Sequence, residues 1–85
     1  MKHKYTYTIE LIDIKQGHIQ VKYVPENEKI VAESYNLAIY TKKDDGTTFT
    51  IEELIDFYAP HDKWDAQLML LEQYNTLLNK SGTIN

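Results

Sequence analysis

Of the thirteen acidic residues and three histidines in this 85-residue chain, Asp56, His61, Asp62 and Asp65 gather in one short stretch. A histidine held by a carboxylate can take up and return a proton near neutral pH, so His61 with one of these acids is the chemical reading to weigh. It has little company. The chain has no cysteine, no serine in a nucleophile context and only three glycines, so there is no phosphate-cradling loop. The same acids suit a structural role, because Asp62 and Asp65 follow Pro60 at a predicted helix start, where the helix dipole favours anions. His3, His18 and His61 match no metal-ligand spacing. The expectation is a protein with no catalytic residue, no cofactor and no metal.

Charge narrows the partners. All nine basic residues are lysines, and the net charge is −4. Arginine supplies the bidentate fork that reads guanine and phosphate, so its absence argues against sequence-specific nucleic-acid binding. Lys2, Lys4, Tyr5, Tyr7, Lys22 and Tyr23 could stack single-stranded bases on a sheet. However, their tyrosines fall on the face expected to cover the core. Eight acids against one lysine lie between residues 44 and 72, where the helices are predicted. That half is either a solvated face or a docking surface for a basic site.

Elements follow from periodicity. Tyr5, Tyr7, Ile9 and Leu11 alternate with polar residues, the period-two mark of a strand. The alternation slips to Ile12 and Ile14, so either a bulge lies near Leu11–Ile12 or this end is buried on both faces. Gln16-Gly17 makes the turn into a second strand with Ile19, Val21 and Tyr23 on one face, completing a hairpin. Ile30 to Tyr40 reads as a third strand, with Tyr35, Leu37 and Ile39 on one side, and Thr47 to Phe49 as a possible short fourth. Thr50 and Glu53 form a capping box, followed by Ile51, Leu54, Ile55 and Tyr58 at helical spacing. Pro60 ends that helix and opens the next, which runs to about Asn79 with Ser81-Gly82 as its C-cap. The expected fold is one α+β domain over residues 1–85: a three-stranded antiparallel meander and two C-terminal helices packed on one face. Its core is expected to hold Tyr7, Ile9, Leu11, Ile19, Val21, Leu37, Ile39, Leu54, Ile55, Trp64, Leu68 and Leu71.

The final helix is apolar around too much of its circumference. Trp64, Leu68, Leu71 and Leu78 make one stripe, and Ala66, Leu70, Tyr74 and Leu77 widen it to an arc of roughly 200°, about twice what one core contact needs. With Trp64 facing the sheet, Leu70, Leu77 and Met69 are the candidate contacts for a partner, flanked by the acidic Asp62, Asp65 and Glu72. No apolar run reaches the ~20 residues of a membrane span, and the N-terminus lacks a signal-peptide pattern.

The segment Ala59-Pro60-His61-Asp62-Lys63-Trp64-Asp65-Ala66-Gln67, after Ile51-Glu52-Glu53-Leu54-Ile55 and the hairpin at Gln16-Gly17, resembles small accessory proteins encoded by tailed bacteriophages. In these a short β-meander precedes an Ala-Pro-x-x-x-Trp junction that opens the last helix. The resemblance implies a non-enzymatic protein that works by binding, in the virion or the cytoplasm of a bacterial host, and carries over no catalytic residue. Two roles follow as expectations. The chain is virion-associated or self-associating through its C-terminal helix, or it inhibits a host enzyme through its acidic half. Neither role calls for a small-molecule substrate or a membrane.

Overall fold

A computed structural model describes residues 2–84. Strands β1 (Tyr5–Asp13), β2 (His18–Pro25) and β3 (Glu33–Ala38) precede helices α1 (Ile51–Phe57), α2 (His61–Glu72) and α3 (Tyr74–Leu77). The strands form one antiparallel sheet in the order β1-β2-β3, so the fold is the expected α+β meander followed by helices. Gly17 closes the hairpin at φ 75°, a left-handed conformation that glycine adopts without strain, and its N–H donates to the Asp13 carbonyl at 2.8 Å. A Cβ there would stand 2.8 Å from the Tyr40 ring.

The core is smaller than the periodicity suggests. Ile19, Val21, Tyr23, Ile30, Leu37, Leu54, Ile55 and Trp64 are buried, with Tyr5, Tyr35, Ile39, Phe49, Ala59 and Leu68 packed around them. The helices therefore cover β2 and β3 but leave β1 largely open. Tyr7 and Ile9 pair with Tyr23 and Val21 and so share the core face, yet Tyr7 is 42% exposed and Ile9 is exposed too. A seven-residue α1 is only about 10 Å long and meets the outer strand at its Tyr5 end, where Asp56 accepts from the Tyr5 hydroxyl, while Tyr7 and Ile9 stay exposed. Leu11 is exposed for a different reason. The register shifts between Ile9 and Leu11, so Glu10 is a bulge that sets Leu11 opposite Gln20 and returns Ile12 to the face of Ile19. Leu71 is also exposed, near Asn27 and Lys29 of the β2–β3 loop.

Other boundaries shift as well. The strand expected over Ile30–Tyr40 is limited to Glu33–Ala38, although Ile30 still reaches the core from the preceding loop. The weak strand at Thr47–Phe49 survives as a single bridge, Lys42 to Thr48. The last helix is interrupted at Gln73 and ends at Leu77, short of Asn79. Asn79, at φ 65°, takes the left-handed position assigned to Ser81-Gly82.

The molecule is open for its size. Its Cα radius of gyration is 16.9 Å, where a compact chain of this length has about 12 Å. Its accessible surface is 6842 Å², against roughly 5,200 Å² for a compact monomer of this mass.

Candidate functional site

The partner candidates on the last helical stretch lie at the surface. Met69 and Leu70 are 58% and 59% exposed and Leu77 is 40% exposed, with Leu71, Tyr74 and Leu78 also open. Helix geometry explains the division. Trp64 and Leu68, four residues apart, take the side facing the sheet, so Leu70, Tyr74 and Leu77, spaced four and three, take another side. The break at Gln73 hardly disturbs this spacing, because Gln73 donates to the Met69 carbonyl and Leu77 to the Gln73 carbonyl. The result is an apolar face made by residues that contribute nothing to the buried core.

Position along the chain also decides what anchors the helix. Lys63 reaches β3, its Nζ 2.7 Å from Glu33 and 3.0 Å from the Tyr35 hydroxyl. Lys63 binding and a Tyr35 hydrogen bond hold the Glu33 carboxyl below its usual range. The Val31 N–H donates to the Gln67 side chain at 2.9 Å. Both ties fall within the first two turns of α2. Leu68, Leu71 and Glu72 still line a small cleft with Asn27 and Lys29, and Met69, Leu70, Tyr74 and Leu77 are exposed.

Of the acidic candidates, Asp62 and Glu72 are exposed. Asp65 is not arrayed with them. Its Oδ1 lies 2.6 Å from His3 Nε2, 62 residues away in sequence. The His61 pairing that acid–base chemistry would use is different again: His61 Nδ1 accepts the His3 main-chain N–H at 3.0 Å. Nδ1 must be unprotonated to accept, so the proton of neutral His61 sits on Nε2. Burial, then the positive charge of His3 and Lys2, pushes the His61 pKa down. Asp56 is occupied too, accepting from the Tyr5 hydroxyl at 3.0 Å. Burial and this hydrogen bond push Tyr5 up to about 12.

These contacts make a seam between the N-terminal segment and the α1–α2 junction. The His3 ring stacks on His61 at 6.0 Å, and Trp64 meets His61 edge-on at 5.1 Å. Tyr5 packs against Trp64, His61 and Tyr23. The arrangement holds protons in place and closes one end of the sheet. The open cleft beside it, about 410 Å³, is lined by Lys2, Ala59, Pro60, His61 and Asp62 and has no serine, threonine or cysteine in its lining. The sequence weighed His3 only as a metal ligand, and no local pattern pointed to its pairing with Asp65 and His61, because those partners lie 58 or more residues away.

Two further contacts escaped the sequence. The buried Tyr23 hydroxyl donates to the Ile55 carbonyl at 2.6 Å, one of the last α1 carbonyls, which otherwise lack a helical partner. A cleft of about 580 Å³ is lined by Phe49, Phe57, Tyr58 and the 41–45 turn, with Lys43 Nζ 5.6 Å from the Phe49 ring centre. Among the described residues no group of three acidic, histidine or cysteine side chains is placed to hold a metal ion, and no helix is long and apolar enough to cross a membrane.

Known protein families, curated proteins and solved structures offer no match to this chain.

Proposed function

We propose that this is a non-enzymatic interaction protein whose working surface is the outer face of its last helical stretch, centred on Leu70, Tyr74 and Leu77 with Met69 alongside. The observation that carries this reading is the location of those four residues. They are exposed large apolar side chains on a helical stretch whose hydrogen bonds to the sheet and its loops, through Lys63 and Gln67, lie in its first two turns. Lone exposed leucines are common on protein surfaces, whereas a contiguous apolar face marks a contact surface. The resemblance of the Ala59–Gln67 junction to small tailed-phage proteins supplies the setting we propose, a virion or a phage-infected bacterium. The partner is a virion protein or a further copy of this chain.

A host-directed inhibitor acting through the acidic half is the second reading. It has less support, because Asp65 is turned inward to His3 and leaves Asp62 and Glu72 as the outward charges near the apolar face.

Site-specific photocrosslinking tests the first reading. A photoreactive residue at Leu70 or Leu77 should give a discrete adduct, either at twice the chain mass in purified protein or with one virion protein in infected cells. The same probe at Lys22, on the opposite face of the sheet, should give none. Equal labelling from all three positions, or no adduct from any, contradicts it.

A further inference from the structure

The outer edge of β1 is a second unpartnered surface, and its chemistry is complementary to itself. The Glu26 N–H donates to the Lys4 carbonyl at 2.9 Å, so Lys4 directs its main chain towards β2. Antiparallel pairing alternates, so Thr6 and Thr8 also turn inward. The main-chain N–H and C=O groups of Tyr5, Tyr7 and Ile9 therefore point away from the sheet. The stretch Tyr5-Thr6-Tyr7-Thr8-Ile9 has no charge, proline or glycine, and its residues favour strands. Natural edges are usually blunted by one of those devices. Here the flat stretch ends only at the Glu10 bulge. The other edge, β3, has six residues and carries the Glu33–Lys63 ion pair.

We infer that two copies of the chain join β1 to β1 in antiparallel fashion, with the two-fold axis at Tyr7, giving one continuous six-stranded sheet. This register sets Tyr7 against Tyr7 and Tyr5 against Ile9, so all outward main-chain groups pair, for about six new hydrogen bonds. It also sets Lys4 of each copy against Glu10 of the other, on the face away from the helices. Glu10 receives Gln20 and Ser34 on Oε1 alone, leaving Oε2 for the incoming ammonium. Lys4 has no acidic partner among the described residues of its own chain. No like charges meet along the stretch. The half-exposed Tyr7 and Ile9 side chains gain cross-strand neighbours. The chain exposes roughly 1,600 Å² more than a compact monomer of its mass, so surface equivalent to a standard interface is available for this contact and the helix face. The inference stands independently of the helix-face reading, and a dimer built this way carries two helix faces.

Light scattering on purified protein over a concentration series is the test. Wild type should reach twice the 10.0 kDa chain mass. Tyr7→Pro removes an outward N–H, at a place where a strand tolerates proline, together with the half-exposed Tyr7 ring, and should be a folded monomer by circular dichroism. If that variant fails to fold, the charge exchange decides. Lys4→Glu or Glu10→Lys alone should weaken dimerisation roughly fivefold, because each loses both symmetric ion pairs, and the double exchange should restore it. A wild type that stays monomeric to near-millimolar concentration overturns the inference. So does a dimer that survives both Tyr7→Pro and the single charge reversals, or one abolished instead by Leu70→Glu with Leu77→Glu. Open-ended aggregates in place of a closed dimer also overturn it.

Discussion

Tyr23 shows how one side chain can join the two halves of this fold. Its ring is buried among Tyr5, Tyr35 and Trp64, and its hydroxyl satisfies the orphan Ile55 carbonyl at the end of α1. Burial holds the phenol well above its normal pKa, so it remains a donor at any physiological pH. Tyr23→Phe should leave that buried carbonyl unsatisfied and lower stability by about 1–2 kcal/mol in urea unfolding. His61 supplies a pH dependence. Its folded-state pKa lies below the 6.5 of the free side chain, so between those values the unfolded chain binds more protons. Its contribution is present above pH 6.5 and lost as pH falls below that value. The melting temperature should therefore drop between pH 7.5 and 5.5, and drop less in His61→Asn. Alternation along β2 was enough to put Tyr23 in the core. The roles of its hydroxyl and of His3 depend on partners 32 and 58 or more residues away, which no local spacing encodes.

The elements whose rules are local were the readable ones. The capping box at α1 forms as its pattern predicts. The Glu53 N–H donates to Thr50 Oγ1 at 3.2 Å, and the Thr50 N–H donates to Glu53 Oε1 at 3.0 Å. Lys43, 2.6 Å from Oε2, and the Thr50 main chain hold Glu53 down at about 2. The box therefore persists down to strongly acid pH. Thr50→Ala should cost about 1 kcal/mol, read as a shift in the urea midpoint with an unchanged slope. A helix this short has little spare stability of its own, so most of that loss should be visible globally. The hairpin and the strand order were legible for the same reason. The burial of β1 was not. Alternation shows which side of a strand is apolar, but it does not show how far the covering helices extend, and α1 and α2 meet β1 at Tyr5 while Tyr7 and Ile9 stay exposed. The displaced bulge has a similar origin: Ile12 and Ile14 signalled a parity change, but the extra residue, Glu10, is set by its pairing with β2.

The shape of the molecule draws these observations together. Among the described residues eight are buried in the core, and two surfaces stay uncovered, the β1 edge and the outer face of the last helical stretch. Both result from short elements. The sheet is longer than the helices that cover it, and the last helical stretch runs past its hydrogen bonds to the sheet and its loops. The over-wide apolar arc read from sequence falls on two helices separated at Gln73, and Leu71 and Leu78 of its inner stripe are exposed along with Leu70 and Leu77.

Urea unfolding of the Leu70→Glu, Leu77→Glu double variant at low protein concentration tests that account most directly. If the helix face belongs to a partner, both residues are dispensable to the isolated fold. Stability should then stay within about 0.5 kcal/mol of wild type, as for ordinary surface substitutions. A loss of more than about 3 kcal/mol, the mark of charges forced into a core, would show that the face is internal packing and contradict the account.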